Sequence, residues 1–403
     1  MTESTTIIGG GIAGFTLASE LRARGYEASI TIIDPEGLPY DRPPLSKEVL
    51  DGSKSEADLL FAPESWYADN DVAILQDEVL RIDADNRTLA LTDGAEHSFD
   101  NLVLATGGLP RQLPLPGFDD EGIRVLRTRT DAQDLRDALK EGTRLAIIGA
   151  GLIGAEVASS ARKLGAEVTL IDPAPVSLVP ALGPELAQRL HDMHATNGVT
   201  FVNGLTTSID RDGAAFAICV DDHEQIIVDE VLTAVGIVPE EQLARSAELE
   251  CDGGVLVDQR GQTSAENIWA IGDCARLRHA DGTLEPRHEH WDSAIVDAKH
   301  VAAAITGQEA PAPTSSWFWT DRYDVHVEAV GSMSGEGSTV IREDGEGNPA
   351  AVFRLHPDGT MAGCAAIDDS MSVRSARRII DRARVIDPEA LADPSVKLKK
   401  LAK

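Results

Sequence analysis

The 403-residue chain is poor in several things, and each shortage removes a class of function. It has four cysteines (Cys219, Cys251, Cys274 and Cys364), no two of them in a C-x-x-C pair and none in a metal-ligand cluster. No disulfide scaffold and no metal site are therefore expected, and a reducing compartment fits. There is no run of eighteen apolar residues, so no membrane-spanning helix is expected. The opening "MTESTTIIGGG" runs directly into a strand, and the expectation is a cytoplasmic protein without a signal peptide. Basic residues are few: 36 Lys and Arg stand against 67 Asp and Glu, a net charge of −31. Nucleic acid or an anionic membrane would repel such a chain, so neither is expected as its main partner. Aromatics make up only 4%.

What is abundant is glycine, with 35 residues, and apolar residues at 42%, a pattern of α/β architecture with many tight turns. The length allows two or three domains. An internal repeat organises it. Residues 5–34 read "TTIIGGGIAGFTLASELRARGYEASITIID" and residues 143–172 read "TRLAIIGAGLIGAEVASSARKLGAEVTLID". Each is an apolar strand, a G-x-G-x-x-G turn, an amphipathic helix and a second strand ending in Asp. The spacing of Ala18 and Leu21, and of Val157 and Ala161, turns one face of each helix toward a sheet. Further along, a meander of short strands is expected over 72–104 and a helix over 186–196. Strands follow at 199–203 and 230–235, then a helix over 291–306 and a Pro/Ala/Ser/Thr linker over 307–316. The last piece, 317–403, has strands near 325–331, 338–342, 350–355 and 361–367, and a basic helix "SVRSARRIIDRARVI".

The glycine turns carry chemistry. Their glycines permit a tight turn and let the backbone approach a pyrophosphate at the positive end of the helix. A carboxylate about twenty residues later meets the ribose hydroxyls. The first unit offers Gly9, Gly11 and Gly14 with Asp34 or Glu36; the second offers Gly149, Gly151 and Gly154 with Asp172. Two dinucleotides on one chain suggest FAD and a nicotinamide nucleotide. Asp172 would repel a 2′-phosphate, and no arginine follows in "PAPVSLVP", so NADH is expected over NADPH. The stretch "TSAENIWAIGDCA" ends a strand at Gly-Asp, where Asp273 is placed to meet a flavin's ribityl chain.

The segments "GGGIAG", "PYDRPPLSK", "LATGGLPR", "GAGLIGAEVA", "IWAIGDCA", "RHEHWDSA" and "SSWFWTDRYD" together resemble the FAD-dependent NADH:ferredoxin reductases of oxygenase and cytochrome P450 systems, the putidaredoxin reductase type within the glutathione reductase-like superfamily. The resemblance spans essentially the whole chain. It implies two Rossmann-like domains plus a C-terminal α+β domain. These are an FAD-binding domain in two segments (1–108 and 236–314), an NAD-binding domain (109–235) and the C-terminal domain (315–403). It implies that Gly9, Gly11, Gly14, Asp34, Arg42, Lys47, Ala105, Thr106, Gly107 and Asp273 line FAD, with Trp291 and Trp319 near the flavin. Gly149, Gly151, Gly154, Glu156 and Asp172 serve NADH. Lys47, paired with Glu156, is the expected catalytic pair. The implied activity is hydride transfer from NADH to FAD, then single electrons to a [2Fe-2S] ferredoxin or rubredoxin-like carrier. An NADH oxidase or quinone reductase, or a redox sensor related to apoptosis-inducing factor, are the alternatives, and monomer or homodimer both stay open.

Disulfide reductases of this superfamily need a cysteine pair and its NADH oxidases a single reactive cysteine in the 38–47 loop; here that loop ends Leu45-Ser46-Lys47. A monooxygenase fingerprint F-x-G-x-x-x-H is also missing. Three departures from the pattern stand out. Glu240 occupies the "GIVPEE" crossover, the loop after Asp34 is short, and basic residues are absent after Asp172. Residues 374–403 hold nine Lys or Arg against four Asp or Glu, and Arg374, Arg377, Arg378, Arg382 and Arg384 form a candidate dock for an acidic ferredoxin.

Overall fold

A computed structural model of the chain describes residues 3–221 and 223–402. It divides into two compact units. The first comprises residues 1–42, 56–109 and 237–313; the second comprises 43–55, 110–236 and 314–403. Among the described residues no helix is long and apolar enough to cross a membrane.

The first unit is built on a five-stranded parallel sheet. Its order is Ile268–Ala270, Asn101–Leu104, Thr5–Ile8, Ile30–Ile33 and Val72–Leu75. The strands "TTII" and "NLVL" are buried on both faces and, apart from Thr5, Thr6 and Asn101, are apolar, as central strands of a covered parallel sheet are. The helix Ile12–Ala23 covers one face, burying Leu17, Ala18 and Leu21 against Val301 and Ala302 of the helix Trp291–Thr306. The expected meander over 72–104 is divided. Val72–Leu75 and Asn101–Leu104 join the parallel sheet, and only Val79–Asp83, Thr88–Leu91 and Glu96–Ser98 form a separate antiparallel sheet. The cause is polarity: the middle strands carry Arg81, Glu96 and His97, which suit a sheet with one wet face.

The second unit repeats the arrangement. Its parallel sheet runs Thr200–Asn203, Glu167–Asp172, Arg144–Ile148, Glu230–Thr233 and Ile123–Arg124. The helix Leu152–Lys163 packs on it, with Val157 and Ala161 fully buried. The same unit holds a five-stranded antiparallel sheet, Trp317–Arg322, Val325–Gly331, Met361–Ile367, Pro349–Leu355 and Ser338–Glu343. Leu186 and Leu190 of the helix Pro184–Thr196 share a core with Val327, Ala329 and Val352 of that sheet. Each fully buried Leu or Ile of such a core contributes roughly 1.5–3 kcal/mol.

The basic C-terminal helix is shorter than its sequence suggests. It spans Ser370–Ile380, capped by the Asp369 carboxylate, which accepts the Ser372 N–H. Ala383 takes a left-handed conformation at φ 47°, which breaks the helix before Arg384.

Candidate active site

The first glycine turn is tight for a steric reason. A Cβ on Gly9 would lie 2.2 Å from the Ala105 carbonyl oxygen, and one on Gly14 would lie 2.1 Å from the Gly9 carbonyl oxygen. Strand and helix thus approach to a distance that only glycine allows. At Gly11 the nearest atom is Arg42 Nε at 4.0 Å, so the space ahead of the helix is open. Gly11 is the N-cap of Ile12–Ala23 and offers no side-chain cap, leaving the first N–H groups of the helix for a ligand. This fits a pyrophosphate.

Asp34 sits at the end of its strand, buried, and closes the turn. Its Oδ2 accepts the Gly10 N–H at 2.6 Å and its Oδ1 accepts the Glu36 N–H at 2.8 Å. Glu36 accepts the Tyr40 hydroxyl at 2.8 Å and pairs with Arg42 at 3.4 Å, and Arg42 lies over the Tyr40 ring. Ala105, Thr106 and Gly107 follow the strand Asn101–Leu104, and the Gly107 carbonyl accepts the Glu240 N–H at 3.0 Å. The Glu240 side chain in turn caps the Gln242 N–H at 2.6 Å, so this departure from the family pattern makes a local turn. Asp273 lies in the short turn Gly272–Cys274, and its carbonyl accepts Arg287 Nη1 at 2.9 Å. Trp291 starts its helix and donates Nε1–H to Asp41 Oδ1 at 2.9 Å.

The second turn repeats the first. Cβ atoms on Gly149 and Gly154 would lie 2.4 Å from the Ala234 carbonyl oxygen and 1.9 Å from the Gly149 carbonyl oxygen, and nothing lies within 4 Å of one on Gly151. Gly151 caps the helix Leu152–Lys163 without a side-chain hydrogen bond. Asp172 accepts the Ala150 N–H at 2.7 Å and the Ala174 N–H at 2.8 Å. This turn also fits a dinucleotide pyrophosphate.

Within the second unit, Pro43–Ser46 forms a single 3-10 turn, the short helix that two adjacent prolines tolerate at its start. It delivers Lys47, whose Nζ lies 2.9 Å from Asp321 Oδ2 and 3.6 Å from Glu156 Oε1. The ammonium is also 5.4 Å from the centroid of the Trp319 ring. Glu156, buried, accepts the Ser46 hydroxyl at 2.6 Å, the Thr320 hydroxyl at 2.7 Å and the Asp321 N–H at 3.1 Å. Burial opposes the charge on Lys47, but Glu156 and Asp321 outweigh it and hold its pKa above the ordinary lysine value. The lysine is therefore charged at every working pH.

Asp321, Ser46 and Thr320 are partners that the sequence reading did not name. The signal was the hairpin in "WTDRYDVHVE". Tyr323 and Asp324 take φ of 51° and 62°, the pattern of a type I′ turn, and so set Asp321 opposite His326 and Trp319 opposite Glu328.

All four cysteines are free. Cys274 is fully buried with its thiol pKa pushed up by burial, and Cys364 is likewise buried. Such thiols are inert. Among the described residues, no group of three or more His, Cys, Asp or Glu is arranged to hold a metal.

The basic patch is partly committed to structure. Arg374 and Arg378 are exposed on the helix Ser370–Ile380, while Arg377 Nη2 donates to Thr314 Oγ1 at 2.9 Å. Arg382 and Arg384 lie beyond the helix end, and Arg382 Nη1 donates to the Ala402 carbonyl at 3.0 Å. Lys403 lies outside the described residues.

Two dinucleotide turns and a sulfur-free lysine site define a class. The pyridine nucleotide-disulphide oxidoreductase family matches residues 3–298 and the reductase C-terminal family matches residues 317–402. The chain belongs to the pyridine nucleotide-disulphide oxidoreductase family, with the fold of two Rossmann-like halves and a C-terminal reductase domain. It is an oxidoreductase of the class that uses FAD and a pyridine nucleotide. Among its relatives, the benzene 1,2-dioxygenase system ferredoxin–NAD(+) reductase subunit of Pseudomonas putida is 39% identical over 411 residues, covering 100% of this chain and 98% of its own. The crystal structure of the ferredoxin reductase for the CYP199A2 system from Rhodopseudomonas palustris matches with a TM-score of 0.93 at 32% identity, covering 100% of both chains. The covalent putidaredoxin reductase–putidaredoxin complex matches with a TM-score of 0.91 at 30% identity, covering 99% of this chain and 98% of that one.

Proposed function

We propose that the chain is an NADH-dependent ferredoxin reductase serving an oxygenase or cytochrome P450. In this reading it takes hydride from NADH and passes single electrons to a [2Fe-2S] ferredoxin or rubredoxin-like carrier in the cytoplasm. The observation that carries the reading is Lys47, charged and held by Asp321 and Glu156, in a protein whose buried thiols are inert. FAD, when bound, supplies the exchange between a two-electron hydride and single electrons. The protein's share is position and electrostatics. Lys47 supplies fixed positive charge where electron density arrives, and Glu156 fixes the lysine.

Residues 1–108 and 236–314 form the FAD domain in this proposal, 109–235 the NADH domain and 315–403 the C-terminal domain. Gly9, Gly11, Gly14, Arg42, Ala105, Thr106, Gly107, Asp273 and Trp291, with Lys47 and Trp319, serve FAD. Asp34, whose oxygens accept the Gly10 and Glu36 N–H groups, or Glu36, paired with Arg42, meets the FAD ribose. Gly149, Gly151, Gly154 and Asp172 serve NADH, and Asp172 selects against a 2′-phosphate. Arg374 and Arg378, exposed on one helix, form the core of a dock for an acidic carrier.

The test is NADH-driven cytochrome c reduction with and without a purified [2Fe-2S] ferredoxin. The proposal expects the carrier to raise the rate many-fold; the same rate without the carrier would remove it. At limiting carrier the rate should fall with added salt and in the Arg374→Glu/Arg378→Glu variant. A rise with salt would place the dock elsewhere.

A further inference from the structure

Beyond Lys47 the second unit continues a row of charges that the reading above does not use. Glu328 lies on the strand Val325–Gly331 and is 4% exposed. Its Oε2 accepts the Trp317 Nε1–H at 2.7 Å, and its Oε1 is 3.1 Å from His326 Nε2. The other ring nitrogen, His326 Nδ1, is 2.6 Å from Asp321 Oδ1. Ionised carboxylates only accept hydrogen bonds. An imidazole with each nitrogen against an ionised carboxylate oxygen satisfies both contacts only by donating from both, the form that carries both ring protons. A neutral ring would set a lone pair against one of the two carboxylates.

The remaining oxygen of Asp321 takes Lys47, which gives an unbroken alternation: Glu156, Lys47, Asp321, His326, Glu328. Asp368, following the strand Met361–Ile367, also approaches His326, its Oδ1 accepting the His326 backbone N–H at 2.9 Å. Arg322, on the paired strand, is buried and donates to Thr320. Trp317 and Trp319 stack at 5.1 Å beside the row.

We propose that His326 is a positioning residue for Lys47: held as an imidazolium, it shares Asp321 and keeps that carboxylate from drawing the ammonium away from Glu156. The proposal rests on the role given to Lys47 above. Burial works against the imidazolium, but Asp321 and Glu328 outweigh it, and the pKa of His326 stands above the ordinary histidine value. The ring is therefore charged below its folded pKa and loses a proton as pH rises through it. Above that point Asp321 has one cation in place of two and holds Lys47 more closely.

The test uses the FAD-loaded protein in two arms. In the first, histidine labelled with nitrogen-15 is followed by NMR against pH, with His326→Gln supplying the assignment. One imidazole should keep both ring protons at about pH 7, where an ordinary histidine is mostly neutral, and its signal should be absent from the variant. In the second arm, the flavin midpoint potential and the rate of reduction by NADH are measured across about pH 6 to 8 in the wild type, His326→Gln and His326→Lys. At the acid end His326→Gln should be slower by about three- to tenfold, with the wild-type pH step gone; His326→Lys should be fast throughout. A His326 ring already neutral at the acid end, or a His326→Gln profile like that of the wild type, overturns the proposal. Lys47→Ala separates the two readings. Wild-type reduction in that variant removes the role of Lys47. A slow Lys47→Ala beside a wild-type-like His326→Gln removes only the role of His326.

Discussion

The two glycine-turn repeats share a backbone and differ in what they offer a ligand. Gly9 and Gly149 leave no room for a Cβ beside the carbonyl of a neighbouring strand, and Asp34 and Asp172 clamp the turn through the same two backbone N–H groups. The difference begins two residues after each Asp. The first repeat has Glu36, tied to Tyr40 and Arg42, where the second has Ala174. On the helices, Thr16 of the first repeat corresponds to Glu156 of the second, and Glu156 alone meets a lysine. The same fold unit thus occurs twice with different acidic groups: Glu36 on the loop of the first copy, paired with Arg42, and Glu156 on the helix of the second, paired with Lys47.

The largest expected effects come from breaking the turns one at a time. Gly14→Ala forces a Cβ onto the Gly9 carbonyl and should destabilise the protein by about 3 kcal/mol, and it should purify without flavin absorbance. Gly154→Ala should keep its flavin and lose NADH affinity by about 100-fold in a binding titration. Loss of flavin in both, or in neither, would break the division of labour between the repeats. Next comes Lys47→Ala. It leaves Glu156 with neutral donors only, so flavin reduction by NADH should slow by about 100-fold and the melting midpoint should fall in keeping with about 2 kcal/mol.

Smaller effects sharpen the comparison. Asp172→Ala should lower the preference for NADH over NADPH by about tenfold with flavin retained. Glu36→Ala should weaken FAD binding without altering nicotinamide preference, whereas Asp34→Ala should unsettle the turn itself and lower thermal stability. The smallest effect is a pH dependence. Because the folded pKa of His326 is raised, its contribution to stability is complete below the unfolded histidine value and is lost as pH rises through the folded one. The stability difference between wild type and His326→Gln should therefore shrink with rising pH. Because the ring is part-exposed, the difference stays below about 1 kcal/mol.

Much of this was legible in the chain. The repeat is local: strand, glycine turn, helix and Asp lie within thirty residues, and periodicity reports them. Four of the five C-terminal strands were equally readable because they alternate or run apolar between turn residues, whereas Trp317–Arg322, which carries Asp321, was not read as a strand. What escaped reading depends on long-range pairing. Asp321, the nearest partner of Lys47, is 274 residues away, and its approach is set by a hairpin register that depends on positive φ at Tyr323 and Asp324. Neither Tyr nor Asp announces that conformation as Asn-Gly would. The end of the basic helix was missed for a similar reason. Charge and apolar spacing continue to residue 386, but Ala383 adopts a left-handed turn that alanine does not favour.

That the protein hands single electrons to an iron–sulfur carrier, with no cysteine in the 38–47 loop, can be checked by stopped-flow reoxidation. The protein is reduced anaerobically with one equivalent of NADH, then mixed with oxidised [2Fe-2S] ferredoxin or with air-saturated buffer. Rapid bleaching of the ferredoxin, much faster than reoxidation by oxygen, is expected. Reoxidation by oxygen that outpaces the ferredoxin, with no bleaching of the iron–sulfur centre, would contradict it and mark the protein as an oxidase.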